Sequence, residues 1–215
     1  MKKILGGIAL AATLVLVGAA CSDKADTTGR QAAAPSVTGN DSILLVTLDA
    51  GLKEHVYLAG MATENALGGR NAGFEAAAGA LDENSVALSK AIGSVFGADA
   101  EKAFLPLWRS HIGFVVDYTS NFGNKAAQDK AVADLLGYTE TFGAFLNGAL
   151  PAIPKAAAAE LVKMHILTLK DVIDAQQAKD FAKAGSMLRT AAHHMGMISS
   201  ALADAIVKQF PAKFA

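Results

Sequence analysis

Histidines carry most of the coordination chemistry available to this 215-residue chain. His55, His111 and His165 recur 56 and 54 residues apart, and His193-His194 follow near the end, beside Met195 and Met197. Neutral imidazole is a general transition-metal ligand, and thioether sulfur is soft enough to favour Cu(I). Read on a helix, residues three, four and seven away share a face. Around His55 those are Gly51, Leu52, Leu58, Ala59 and Ala62; around His111, Leu107, Trp108, Phe114, Val115 and Tyr118; around His165, Leu161, Val162, Thr168, Leu169 and Val172. His194 shares a face with Met187, Ala191, Met197 and Ile198, while His193 is turned about 100° away, toward solvent. Four imidazoles on apolar stripes must find partners, because an unsatisfied buried polar group costs about 1–3 kcal/mol. A metal, a haem, water, or hydrogen bonds to Tyr118, Asn84 or Thr168 would each serve. A core histidine held by such a hydrogen bond is the commoner case for any one position, and duplication alone can preserve a histidine for packing. Repetition is what brings a shared site into contention.

The ligand set excludes several chemistries. A di-iron bundle needs Glu three residues before a histidine, and those positions hold Leu52, Trp108, Val162, Thr190 and Ala191. Covalent haem needs a Cys-x-x-Cys-His run, which is missing. Structural zinc usually recruits cysteine, and Cys21 is the only one. Copper is the leading expectation, with Met164, Met195 and Met197 near the histidines; zinc and non-covalent haem are the alternatives. Expected ligands are His55, His111, His165 and His194. Asn84, sharing a face with Leu81 and Leu88, and Tyr118 are expected beside the bound group; a buried Asn can equally fix helix register. No Gly-x-Ser-x-Gly elbow is present, and the glycine-rich run from Gly68 to Gly73 follows no strand, so neither nucleophilic catalysis nor phosphate binding is expected.

The elements that must position these side chains read as all-α. Ala and Leu dominate, Gly and Pro cluster at intervals, and no alternating strand pattern competes. Expected helices run from Ser42 to about Leu67, Phe74 to Phe96, Ala98 to Asn121, Ala127 to Leu150, Lys155 to about Gln177, and Asp180 to Gln209. Pro106 is expected to kink the third or mark its true start. Aligned on their histidines and apolar ends, they form three repeated helical hairpins and a six-helix bundle.

At the other end, Met-Lys-Lys, an apolar run from Ile4 to Val17, and Gly18-Ala19-Ala20 before Cys21 describe a bacterial secretory signal over residues 1–20. A lone cysteine just after small residues resembles a lipoprotein cleavage site, with Gly18 where Leu, Val or Ile is usual; ordinary cleavage leaving a free cysteine is the alternative. Lipidation at Cys21 would anchor the chain to a membrane surface without spanning it. Residues 21–40 lack large apolar side chains and read as a flexible tether; residues 41–210 form the folded domain. The chain has 19 basic and 20 acidic residues; removing Lys2 and Lys3 leaves 17 against 20, near −3. With no basic stripe, nucleic acid is not an expected partner.

The stretches HVYLAGMATENAL, FEAAAGALDENSVALSKAIGSVFG, LWRSHIGFVVDYT and HHMGMISSALADAIVKQFP resemble a group of exported bacterial helical proteins loosely labelled as copper amine oxidase, or copper amine oxidase N-terminal, domain proteins. The likeness spans about Val46 to Phe210. It implies an envelope location, periplasmic or outer-surface, and copper, with His55, Asn84, His111, His165 and His194 as matching positions. The oxidase activity in that label is rejected. Such enzymes carry an Asn-Tyr-Asp/Glu motif and a His-x-His pair, whereas the tyrosines here follow Val56, Asp117 and Gly137, and no His-x-His occurs. The expectation is a lipid-anchored protein that stores, buffers or senses a metal. A haem or small-ligand bundle, and an interaction module with no ligand, are the other readings.

Overall fold

The computed structural model describes residues 39–214. The expected signal over residues 1–20, Cys21 and nearly all of the expected tether lie outside those residues. The described chain is all-α: six long helices, α1 (Asn40–Leu67), α2 (Asn71–Phe96), α3 (Ala98–Ser120), α4 (Lys125–Ala149), α5 (Lys155–Gln177) and α6 (Phe181–Gln209), then a single turn, α7 (Pro211–Phe214). Each long helix packs on the next, and α6 returns to α1; α1 also touches α3 and α5, so it is the best-connected helix of the bundle.

Local chemistry explains the ends. Gly69 takes φ +67° after α1, where the amide of Arg70 reaches back to the Asn65 carbonyl and that of Gly69 to Ala66, satisfying carbonyls the helix leaves free. The same pair of bonds closes α5, from Asp180 to Ala175 and Lys179 to Gln176, with Lys179 at φ 58°. Gly97 alone joins α2 to α3 at φ +94°. Asn124 and Asp180 cap α4 and α6 by accepting from the amides of Ala127 and Lys183.

Most ends fall within two residues of expectation. α2 starts earlier, at Asn71 rather than Phe74, and the short α7 follows the last expected helix. α3 continues through Pro106, so the proline does not mark its start. Proline lacks the amide that would bond the carbonyl four residues back, and the helix is tied to its neighbour beside that gap, where the Ser89 hydroxyl donates to the Glu101 carbonyl at 3.1 Å.

The main core gathers Val56, Trp108, Leu135, Phe142, Leu169 and Met195 from α1, α3, α4, α5 and α6. Each such side chain contributes about 1.5–3 kcal/mol on burial. A second cluster, around Leu48, Val95, Leu150 and Ile206, closes one end. Two devices set helix register near the histidines. Gln176 on α5 donates to the Gly60 carbonyl on α1 at 2.9 Å and accepts from Thr63 at 2.8 Å, all buried. At Gly143 a Cβ would meet the Lys155 carbonyl oxygen at 2.8 Å, so only glycine lets α4 approach α5 so closely.

Candidate metal centre

α1, α3 and α5 bring His55, His111 and His165 to one place. Each imidazole is carried inward by its own apolar stripe: Leu52, Val56 and Ala59 bury His55, Trp108 and Val115 bury His111, and Val162, Ile166 and Leu169 bury His165. The three are 1%, 2% and 4% exposed. His55 Nε2 lies 3.3 Å from His111 Nε2, and one nitrogen from each ring falls within 4.8 Å of the others. The ring centroids are 5.3, 5.7 and 6.2 Å apart. Trp108 packs against both His55 and His111, at 4.8 and 4.7 Å, and Tyr138 sits 5.0 Å from His111.

The contact between the two Nε2 atoms accommodates one proton, so one ring donates and the other accepts. Nδ1 of His55, Nδ1 of His111 and both nitrogens of His165 have no hydrogen-bond partner, and neither do Trp108 Nε1 and Tyr138 Oη. Burial is the main reason the rings resist protonation. His55 is held well below the ordinary histidine value by burial and then by the neighbouring His111 and His165. His111 is pushed down to about 4 by burial; the Trp108 carbonyl, beside the ring but outside hydrogen-bonding geometry to Nδ1, pulls the other way to a smaller extent. His165 is pushed down to about 3 by burial, then by His111 and His194. Burial also raises the Tyr138 phenol well above its usual value. At neutral pH the three imidazoles are therefore uncharged, the state a metal requires.

The chemistry of the donor set fits an ion. Metal–imidazole bonds of about 2.0–2.1 Å place ligand nitrogens about 3.3–3.6 Å apart in trigonal or tetrahedral arrangements. The His55–His111 pair already has that separation. The widest separation, 4.8 Å, closes with a ring movement of about an ångström.

The other expected residues lie elsewhere. His194 Nε2 donates to the Leu161 carbonyl at 2.9 Å, outside the cluster of three. Its helix, α6, brings the ring down on the backbone of α5 rather than to the other imidazoles. Asn84 donates to the Gly51 carbonyl at 3.0 Å and to Glu54 at 2.8 Å, so its amide nitrogen holds α1 and does not orient a histidine. Tyr118 donates to Asp174 at 2.6 Å, in a half-open cluster with Lys170. Thr168 spends its hydroxyl on the Met164 and His165 carbonyls of its own helix. The side chains of Met164 and Met197 are exposed, which removes them as soft donors to a buried site; Met195 is a core residue. His193 is exposed, as its angular offset predicts.

Trp108 lies on the His111 face as periodicity predicts; Tyr138 is the neighbour that residue-by-residue reading does not find. A positional signal for Tyr138 exists. Asn84 and His194 each lie 29 residues after the histidine of the preceding helix, and Tyr138 lies 27 after His111.

No family model, curated protein or solved structure matches the chain.

Proposed function

We propose that the helical domain binds one transition-metal ion, copper as Cu(I), through one nitrogen each of His55, His111 and His165, and that the protein stores, buffers or senses that metal at the bacterial envelope. One observation carries this reading. Three uncharged imidazoles on three separate helices converge within 4.8 Å, and four of their six nitrogens are buried without a partner. Leaving a buried polar atom unpaired costs about 1–3 kcal/mol, which a ligand shared by all three rings offsets.

Charge selects among metals. The ligands are neutral, and among the described residues no carboxylate or cysteine joins them. A dication would bring two uncompensated charges into an apolar core, whereas Cu(I) brings one and accepts three imidazoles. Zinc uses three histidines where an open position holds water. Here the space beside the rings is walled mainly by Ala, Val, Leu and Phe. Haem fits poorly: that space offers only about 30 Å³ to a water-sized molecule, and drug-sized ligands already need about 300 Å³ or more.

The repeat supports the same centre. α1–α2, α3–α4 and α5–α6 read as three copies of one hairpin, each with a buried histidine on its first helix. Asn84 and His194, at matching places on second helices, both donate to the carbonyl four residues before the histidine of their own hairpin, Gly51 and Leu161. Such a repeat delivers three like side chains to one axis. The signal sequence and Cys21 supply the envelope address and the lipid anchor to a membrane surface, and the resemblance to exported copper-labelled proteins agrees with both.

Titration of the purified Cys21→Ser protein with Cu(I), Cu(II), Zn(II) and haem, followed by absorbance and melting temperature, tests the reading. The expected result is one Cu(I) per chain, with stabilisation of about 2.7 kcal/mol at a hundredfold excess over the dissociation constant. It should disappear in His111→Ala and in His165→Ala. Equal stabilisation by every ion, or by none, would overturn it.

A further inference from the structure

The histidine cluster is buried yet not sealed. A narrow cavity runs between α1, α2 and α3, and the imidazoles of His55 and His111 form part of its wall. Beyond them its sides are Ala59, Ala62, Val115 and Leu169, all buried. Phe74, Val116 and Ser120 also line it; Phe74 is partly exposed and the other two are exposed, so they mark its outer end. The third ligand, His165, does not line it. The space open to a water-sized molecule is about 30 Å³, enough for one or two such molecules and no more.

Three protein donors leave a transition metal short of four-coordination, and no fourth carboxylate, thiol or imidazole joins the cluster among the described residues. Alanine at 59, 62 and 66 keeps the channel open along α1, where larger side chains would fill it. We propose that this cavity admits a small uncharged molecule of the diatomic class to the metal held by His55, His111 and His165. This inference rests on the metal-binding reading above. Size sets the upper limit: sugars, peptides and all but the smallest amines are too large. Polarity sets the class, because the wall offers only the hydroxyls of Thr63, Thr119 and Ser120 besides the two imidazoles. The hydroxyls of Thr63 and Thr119 are already engaged, with Gln176 and the Val115 carbonyl. An anion would have to shed its hydration along this apolar approach before reaching the metal, whereas a neutral diatomic loses almost nothing on the way.

The test has one arm that needs no metal and one that does. Xenon binds dry apolar cavities, and xenon titration of the metal-free protein by NMR should shift methyl signals of Ala59, Ala62 and Val115. In the second arm, the Cu(I)-loaded protein under carbon monoxide should give a C–O stretching band with one CO per copper. Ala62→Leu and Ala66→Leu narrow the channel at its middle and near its mouth without touching a ligand. Each should lower CO uptake at least tenfold while Cu(I) affinity, measured by competition with a chromophoric chelator, changes less than threefold. Two variants guard against one that fails to fold. A protein that binds one Cu(I) yet gives no CO band overturns this proposal and leaves the metal reading intact. Undiminished CO binding in both variants also overturns it, by showing another route. Failure to retain Cu(I) in the chelator assay ends both readings.

Discussion

His165 and His194 are the same residue type on adjacent packed helices, 4% and 9% exposed, and they meet opposite fates. His194 donates to a backbone carbonyl on α5. His165, on that same helix, lacks a partner at either nitrogen and faces two more imidazoles. The contrast extends to a whole set. On the second helices of two of the three pairs, Asn84 and His194 tie down the first helix, while Tyr138 on α4 leaves its hydroxyl without a partner. Residues on the first helices point past that scaffolding to a common centre. Burial alone therefore does not distinguish a packing histidine from a ligand; whether its nitrogens are already satisfied does.

The largest test of that contrast is metal affinity. His165→Ala should weaken Cu(I) binding at least a hundredfold, about 2.7 kcal/mol, while His194→Ala should change it less than threefold, both read by chelator competition. Equal losses would erase the distinction.

Next in size is the pH dependence of the metal-free protein. Histidines in the unfolded chain bind protons near pH 6.5, but the folded chain resists them, His111 until about pH 4 and His165 until about pH 3. The unfolded state binds more protons between those values, so stability rises with pH across the window. It is fully present above about pH 6.5 and is lost as pH falls toward 4, by about 1.4 kcal/mol per pH unit for each such histidine. Urea denaturation at pH 7.5, 6.0 and 5.0 should show this fall, and His165→Leu should make it shallower.

A third test uses the same two variants at pH 7.5 without metal. Replacing a buried group with no partner by an apolar one removes a penalty, so His165→Leu should be neutral or stabilising by about 1–2 kcal/mol. His194→Leu loses a made hydrogen bond and should cost about 1 kcal/mol. Thermal denaturation reads both signs.

The smallest effects sharpen the comparison among the second-helix residues. Asn84→Ala removes two hydrogen bonds to α1 and should cost about 1 kcal/mol. Tyr138→Phe removes a hydroxyl with no partner and should lie within about 0.5 kcal/mol of wild type, or above it. Chemical denaturation distinguishes them.

Much of this was legible in the sequence for a physical reason. Helical periodicity fixes the face on which a side chain lies, so the inward placement of His55, His111, His165 and His194 follows from their apolar neighbours. Turn residues such as Gly68-Gly69 and Pro151 with Pro154 fix where helices stop. Periodicity does not fix how far one helix slides along another. Whether His194 reaches the other imidazoles or a carbonyl of α5 depends on a shift of a few ångströms, set here by contacts of α6 with α1 such as Leu188 against Gly60 and the Ser199 hydroxyl on Asp49. The same limit covers Asn84 and Tyr118: periodicity gives their faces but not their partners, which are Gly51 with Glu54 in one case and Asp174 in the other.

X-ray absorption of the Cu(I)-loaded Cys21→Ser protein tests the central claim most directly. Three imidazole nitrogens at about 2.0 Å, with no sulfur in the first coordination sphere and an unchanged spectrum in His194→Ala, is the predicted result. A sulfur scatterer at about 2.3 Å, or a spectrum that changes with His194, would contradict a centre built from His55, His111 and His165.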